Sequence, residues 1–162
     1  MAGRVLTDAS PLIGLARVNG LTWLGALFES VWVPDEVLRE VLPGRSHPDD
    51  RLLALAFEQG ILKRCGETPL EPALPELDEG EAACIRLALA DEAPALLLMD
   101  ERAGRALAIE RGLRVTGTAA IIGMARMKGL IPSARTVFAR LHASDFRISA
   151  QVIATILRRV GE

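Results

Sequence analysis

Four acidic residues sit where carboxylates could do chemistry: Asp8, Glu40, Glu81 and Asp100. Asp8 ends the short run Arg4 to Thr7, and Asp100 ends the longer apolar run Ala95 to Met99. If both runs are parallel strands, both carboxylates project from strand carboxyl ends, where open α/β sheets place their sites. Glu40 and Glu81 lie on helix-like segments, each close to an apolar stripe. Carboxylates grouped without a matching basic cluster suit a hard cation, Mg²⁺ or Mn²⁺. Two unit charges about 5 Å apart repel by roughly 3 kcal/mol at an effective dielectric near 20. Without a cation, some of these acids should therefore hold protons at raised pKa. The chemistry expected is a metal-dependent reaction on phosphate.

Each acid has a structural competitor. Asp8 could cap a helix, but Ser10 before Pro11 reads as the better cap, which leaves Asp8 for a site. Ser10 could both cap and touch a metal-bound water. On the helix opened by Pro34, Val37, Leu38, Val41 and Leu42 mark the buried face. At about 100° per residue Glu36 points away from that face and Glu40 sits on its border, so Glu40 is the site candidate. Asp78-Glu79-Gly80-Glu81 has the spacing of a capping box, yet Glu81 also aligns with Ile85 and Ala88 on a face that should be buried. Asp100 could cap a helix beginning near Arg102, and Glu101 either adds an outer ligand or faces water. Thr116 and Thr118 could line the same crevice or serve as an ordinary cap. Arg102 and Arg105, one turn apart, could hold a substrate phosphate or be solvated helix surface. His47 and His142 have no partners at ligand spacing.

The elements that must position these residues alternate along the chain. Strands are read at 4–7, 31–33, 61–64, 95–99 and 113–116. Helices are read at 11–18, 21–28, from Pro34, at 49–59, 78–91, 102–111 and from Thr118 to Gly129. The segment 43–48 reads as a loop, and the proline-rich stretch 65–75 as an irregular connection. This alternation predicts an α/β/α sandwich around a parallel sheet, with residues 1–162 as one domain. Residues 133–162 read as a C-terminal helical extension, with Ser133 and Ser149 as N-caps. Val152, Ile153, Ile156, Leu157 and Val160 form a stripe there that packs on the domain or offers a dimer or partner surface.

The chain has 162 residues, half of them apolar, no tyrosine, and a net charge of −2. That balance counts against a protein that coats DNA, but not against an enzyme gripping a few phosphates. Cys65 and Cys84 have no metal-ligand spacing and are expected buried and reduced. The N-terminus enters a strand pattern at once and no apolar stretch is long enough to span a membrane, so a cytoplasmic protein is expected.

The strand-Asp8-Ala9-Ser10 opening, Glu40 after Pro34, the Gly80-Glu81-Ala82-Ala83 helix and the Leu96-Leu97-Leu98-Met99-Asp100 strand together resemble the PIN-domain nucleases. They are similar to VapC-type toxins of bacterial toxin–antitoxin pairs. The segment Gly112 to Thr118 and the closing Phe146-Arg147-Ile148-Ser149 resemble one PIN-like subgroup of prokaryotic proteins. The resemblance implies Mg²⁺- or Mn²⁺-dependent cleavage of single-stranded RNA. It places Asp8, Glu81 and Asp100 on the metal, and Glu40 completing the cluster or positioning water. The third acid is a glutamate where many such toxins carry aspartate. Expected partners are an RNA substrate, an antitoxin protein and a second copy of the chain. The alternatives are a non-catalytic nucleic-acid- or protein-binding module, and, less well matched, a phosphoacceptor receiver-like domain.

Overall fold

Five three-residue strands carry the fold: β1 (Val5–Thr7), β2 (Val31–Val33), β3 (Leu62–Arg64), β4 (Leu96–Leu98) and β5 (Arg114–Thr116). The structure is a computed structural model that describes residues 3–42 and 48–162; the segment 43–47, with His47, lies outside them. The strands form one parallel sheet in the order β3-β2-β1-β4-β5. The three inner strands read Val-Leu-Thr, Val-Trp-Val and Leu-Leu-Leu, the continuous apolar run expected of strands covered on both faces. The two edge strands, Leu-Lys-Arg and Arg-Val-Thr, carry the cations that discourage further pairing.

Helices fill the crossovers. α1 (Ala9–Arg17) and α2 (Leu21–Phe28) follow β1, and α3 (Asp35–Val41) and α4 (Pro48–Glu58) follow β2. α5 (Glu79–Ala90) leads into β4, α6 (Arg102–Glu110) into β5, and α7 (Thr118–Met127) leaves it. α1, α2, α4 and α7 pack among themselves, while α5 packs on α6, β1 and β4. α3 touches both α1 and α5, which brings its last turn to the rim between the layers. The result is the expected α/β/α sandwich. α4 and α6 stop at Gly60 (φ 76°) and Gly112 (φ 78°). There the left-handed backbone lets the next amide reach back to Ala56 and Ala108.

α8 (Ala134–Ala143) and α9 (Ala150–Arg159) begin where Ser133 and Ser149 accept from the amides of Thr136 and Val152. In the last stripe Ile156, Leu157 and Val160 are buried, Ile153 is half-buried and Val152 exposed. α9 lies on α7, and Ile156 fills the space beside Gly123. Both cysteines are free and buried. Among the described residues no single helix is long and apolar enough to cross a membrane.

One expected boundary is overturned. The first helix starts at Ala9, not Pro11, so Ser10 is its second residue and Asp8 occupies the N-cap position. Pro11 remains compatible because the first-turn amides of a helix have no partner within it. Asp8 makes no side-chain capping bond. It fills the cap position by backbone conformation alone.

Candidate functional site

The strand order turns outward in both directions from β1, so β1 and β4 flank the switch point of the sheet. Thr7 pairs with Leu98, and the Asp8 amide donates to the Leu98 carbonyl at 2.9 Å. Asp8 and Asp100 therefore leave neighbouring strand ends side by side. Glu40 arrives from the last turn of α3 and Glu81 from the first turn of α5. A Cβ placed on Gly80 would lie 3.0 Å from Asp8 Oδ1 and 3.5 Å from Glu40 Oε2, so these two carboxylates meet over the start of α5.

Asp8 is 3% exposed and Glu81 6%, and Asp8 Oδ1 and Glu81 Oε2 have no hydrogen-bond partner. Burial pushes the Asp8 carboxyl up to about 7, against the pull of the Ala9 amide, and the charges of Asp78, Glu40 and Asp100 add to the rise. Burial likewise pushes Glu81 up to about 8, helped by a hydrogen bond with Asp78 and the charges of Asp78, Asp8 and Glu101. Glu40 is exposed, yet partial desolvation and Asp78 hold its pKa above the ordinary value. Buried carboxylates without donors are costly, and here the cost falls on protonation.

Asp100 has a different environment. Its Oδ1 accepts from the Thr118 amide at 2.8 Å and its Oδ2 from the Thr118 hydroxyl at 2.7 Å. It thus caps α7, which leaves the neighbouring strand, and not the helix at Arg102, whose N-cap position is taken by Glu101. Thr118 is fully buried, so it acts on the site through Asp100. The capping box at α5 is half formed. Asp78 accepts from the Glu81 amide at 2.8 Å, while Glu81 sets its own carboxylate against Gly104 of α6.

Ser10 is half-buried at the start of α1, and Glu101 and Arg102 are exposed. Arg105 is half-buried, and its Nη1 donates to the Met99 carbonyl at 2.9 Å, beside Asp100. His142 bridges the backbone of Ile148 in the α8–α9 connection, away from these acids. Asp78 is the member that the sequence pattern assigned only to a cap. Its place in the same first turn as Glu81 was the signal, and its charge acts on Asp8, Glu40 and Glu81 alike.

Charge is divided along the chain. Residues 1–101 hold eight Lys and Arg against eighteen Asp and Glu, and residues 102–162 hold eleven against three. The basic part comprises α6, β5 and the helices that follow, so the acids at the ends of β1 and β4 border it.

Among the described residues no three His, Cys, Asp or Glu side chains close into a ligand group as the chain stands. In donor chemistry the site still suits a hard divalent ion, through two buried oxygens without donors and further carboxylates around them. Each Asp100 oxygen accepts one hydrogen bond from Thr118 and keeps a second lone pair that could join them. A family model described as PIN domain matches residues 4–162. No curated protein matches the chain. With a match from the first strand to the last residue and a parallel sheet carrying acids at its switch point, the chain belongs to the PIN-domain family.

Proposed function

We propose that the protein is a Mg²⁺- or Mn²⁺-dependent endoribonuclease that hydrolyses phosphodiesters of single-stranded RNA. The observation that supports this reading is the pair of buried, unpartnered oxygens, Asp8 Oδ1 and Glu81 Oε2, at the switch point of the sheet. A bound divalent ion would supply a Lewis acid and a more acidic water. Asp8 and Glu81 would offer the oxygens that hold it, and Asp100, just after β4, would add another. Glu40, exposed on the rim with a raised pKa, is suited to take the proton of the water that attacks phosphorus. The P–O bond to the leaving nucleotide breaks in that step. Arg102 and Arg105, beside Asp100, are suited to phosphate, and the net positive 102–162 segment favours a polyanionic substrate. The likeness to VapC-type toxins extends the proposal to the toxin of a toxin–antitoxin pair.

The test is cleavage of mixed single-stranded RNA by wild type, Asp8→Asn and Asp100→Asn with Mn²⁺ or Mg²⁺. Metal-dependent cleavage by wild type, reduced at least 100-fold in both variants, is the expected result. A second reading, a non-catalytic binding module, is favoured by the commitment of both Asp100 oxygens to Thr118. RNA binding by wild type without cleavage, and without stabilisation by either metal, would select it.

A further inference from the structure

Three of the acids lie against glycines. Asp8 Oδ1 lies 3.0 Å from where a Gly80 Cβ would stand, and Asp100 Oδ1 2.8 Å from where a Gly117 Cβ would stand. The tightest case is Gly104, in the first turn of α6 and buried. A Cβ there would collide with Glu81 Oε2, and would stand 2.7 Å from Met99 Sδ and 3.2 Å from Glu81 Cδ. Such close approaches force something to move, and here little is free to. Glu81 is 6% exposed and Met99 fully buried, and the charges of Asp78 and Asp8 act on the Glu81 carboxylate.

From this geometry we infer that Gly104 is a positioning residue: the missing side chain in α6 is the seat that accepts a carboxylate on an arm as long as glutamate. This rests on the metal-dependent reading of the site for its purpose, but not for its geometry. An aspartate at position 81 would carry its carboxylate one methylene nearer α5 and away from α6. The requirement for glycine at 104 is thus tied to the length of the side chain at 81. A methyl group at 104 displaces the Glu81 carboxylate from this seat and so disturbs an oxygen that would hold an ion.

The sign of the effect is diagnostic. Alanine is the better helix former, so at a helical position without this steric conflict Gly→Ala stabilises. Four proteins decide the matter: wild type, Gly104→Ala, Glu81→Asp, and the double variant. Thermal melts in EDTA are expected to show a lower Tm for Gly104→Ala in the wild-type background, and a drop at most half as large in the Glu81→Asp background. If Gly104→Ala alone fails to fold, recovery of the fold in the double variant is the same coupling. Mn²⁺ titration by calorimetry on wild type and Gly104→Ala is expected to show affinity weakened about tenfold or more, the usual scale for disturbing the support of a metal ligand. An equal Tm drop in both backgrounds, failure of both proteins to fold, or unchanged Mn²⁺ affinity in Gly104→Ala would overturn the inference. Absence of Mn²⁺ binding by wild type would instead count against the metal-dependent activity, and the melts would then decide the role of Gly104 alone.

Discussion

Burial penalises the charged forms of Asp8 and Glu81 and pushes their carboxyls up to about 7 and about 8, so without metal both hold protons to higher pH than ordinary carboxylates. The consequence for stability has a definite sign. Both folded-state pKa values lie above the unfolded ones, so the folded protein binds more protons between the ordinary carboxylate range and about 7 to 8. The stability tied to these groups is full at acid pH and declines as pH rises through that window. Melts in EDTA at pH 5, 6.5 and 8 should show Tm falling with pH, and Mg²⁺ or Mn²⁺ should offset most of the fall at pH 8. A Tm that does not change over this range would contradict the burial argument. Asp78→Asn sharpens the test, since asparagine keeps the cap but removes the charge beside Glu81. Its decline should be smaller and end at lower pH, because Asp78 raises both Asp8 and Glu81 in the folded protein.

Helix starts do two different jobs in this fold. At α8 and α9 a serine caps its own helix, and that function was legible from Ser133 and Ser149. Ser149→Ala should cost about 1 kcal/mol of stability, measured by urea unfolding, and leave RNA cleavage unchanged. At α7 the cap comes from Asp100 on another strand, through the Thr118 amide and hydroxyl. Thr118→Val deletes one of those bonds inside the protein, at a cost of roughly 1–3 kcal/mol. It also frees one Asp100 oxygen, so Mn²⁺ affinity should rise while stability falls. A fall in both together would mean that Thr118 holds Asp100 in its working position. The α1 start departs from the sequence expectation because Ser10-Pro11 carries a sound local start signal, while the turn out of β1 sets the N-cap at Asp8, two residues earlier.

At the scale of the molecule, a net charge of −2 conceals a separation of acidic and basic halves. The strand order puts β5 at one edge of the sheet and β3 at the other, while α7 returns to pack on α1 and α2. Arg102 and Arg105 follow Asp100 on α6, and Arg105 donates to the Met99 carbonyl beside it. Using Asp8→Asn to suppress cleavage, binding of labelled single-stranded RNA should weaken linearly in log salt. Arg102→Ala with Arg105→Ala should reduce that slope by about 0.7 for each phosphate that is no longer neutralised. An unchanged slope would remove both arginines from the interface.

The sequence by itself determined the elements and the roster of acids. Strand and helix segments followed from apolar runs, capping serines and closing glycines, all of them signals within a few residues of each other. Asp8, Glu40, Glu81 and Asp100 could be singled out because each ends or borders such a segment. The tertiary structure decided which groups face one another. That Asp8 and Glu40 share the space over Gly80, that Asp78 acts on Asp8 and Glu81, that Asp100 belongs to Thr118, and that Gly104 makes room for Glu81 are all matters of how the elements pack around β1 and β4. That packing brings together residues far apart along the chain, and no local pattern encodes how their side chains divide the space between them.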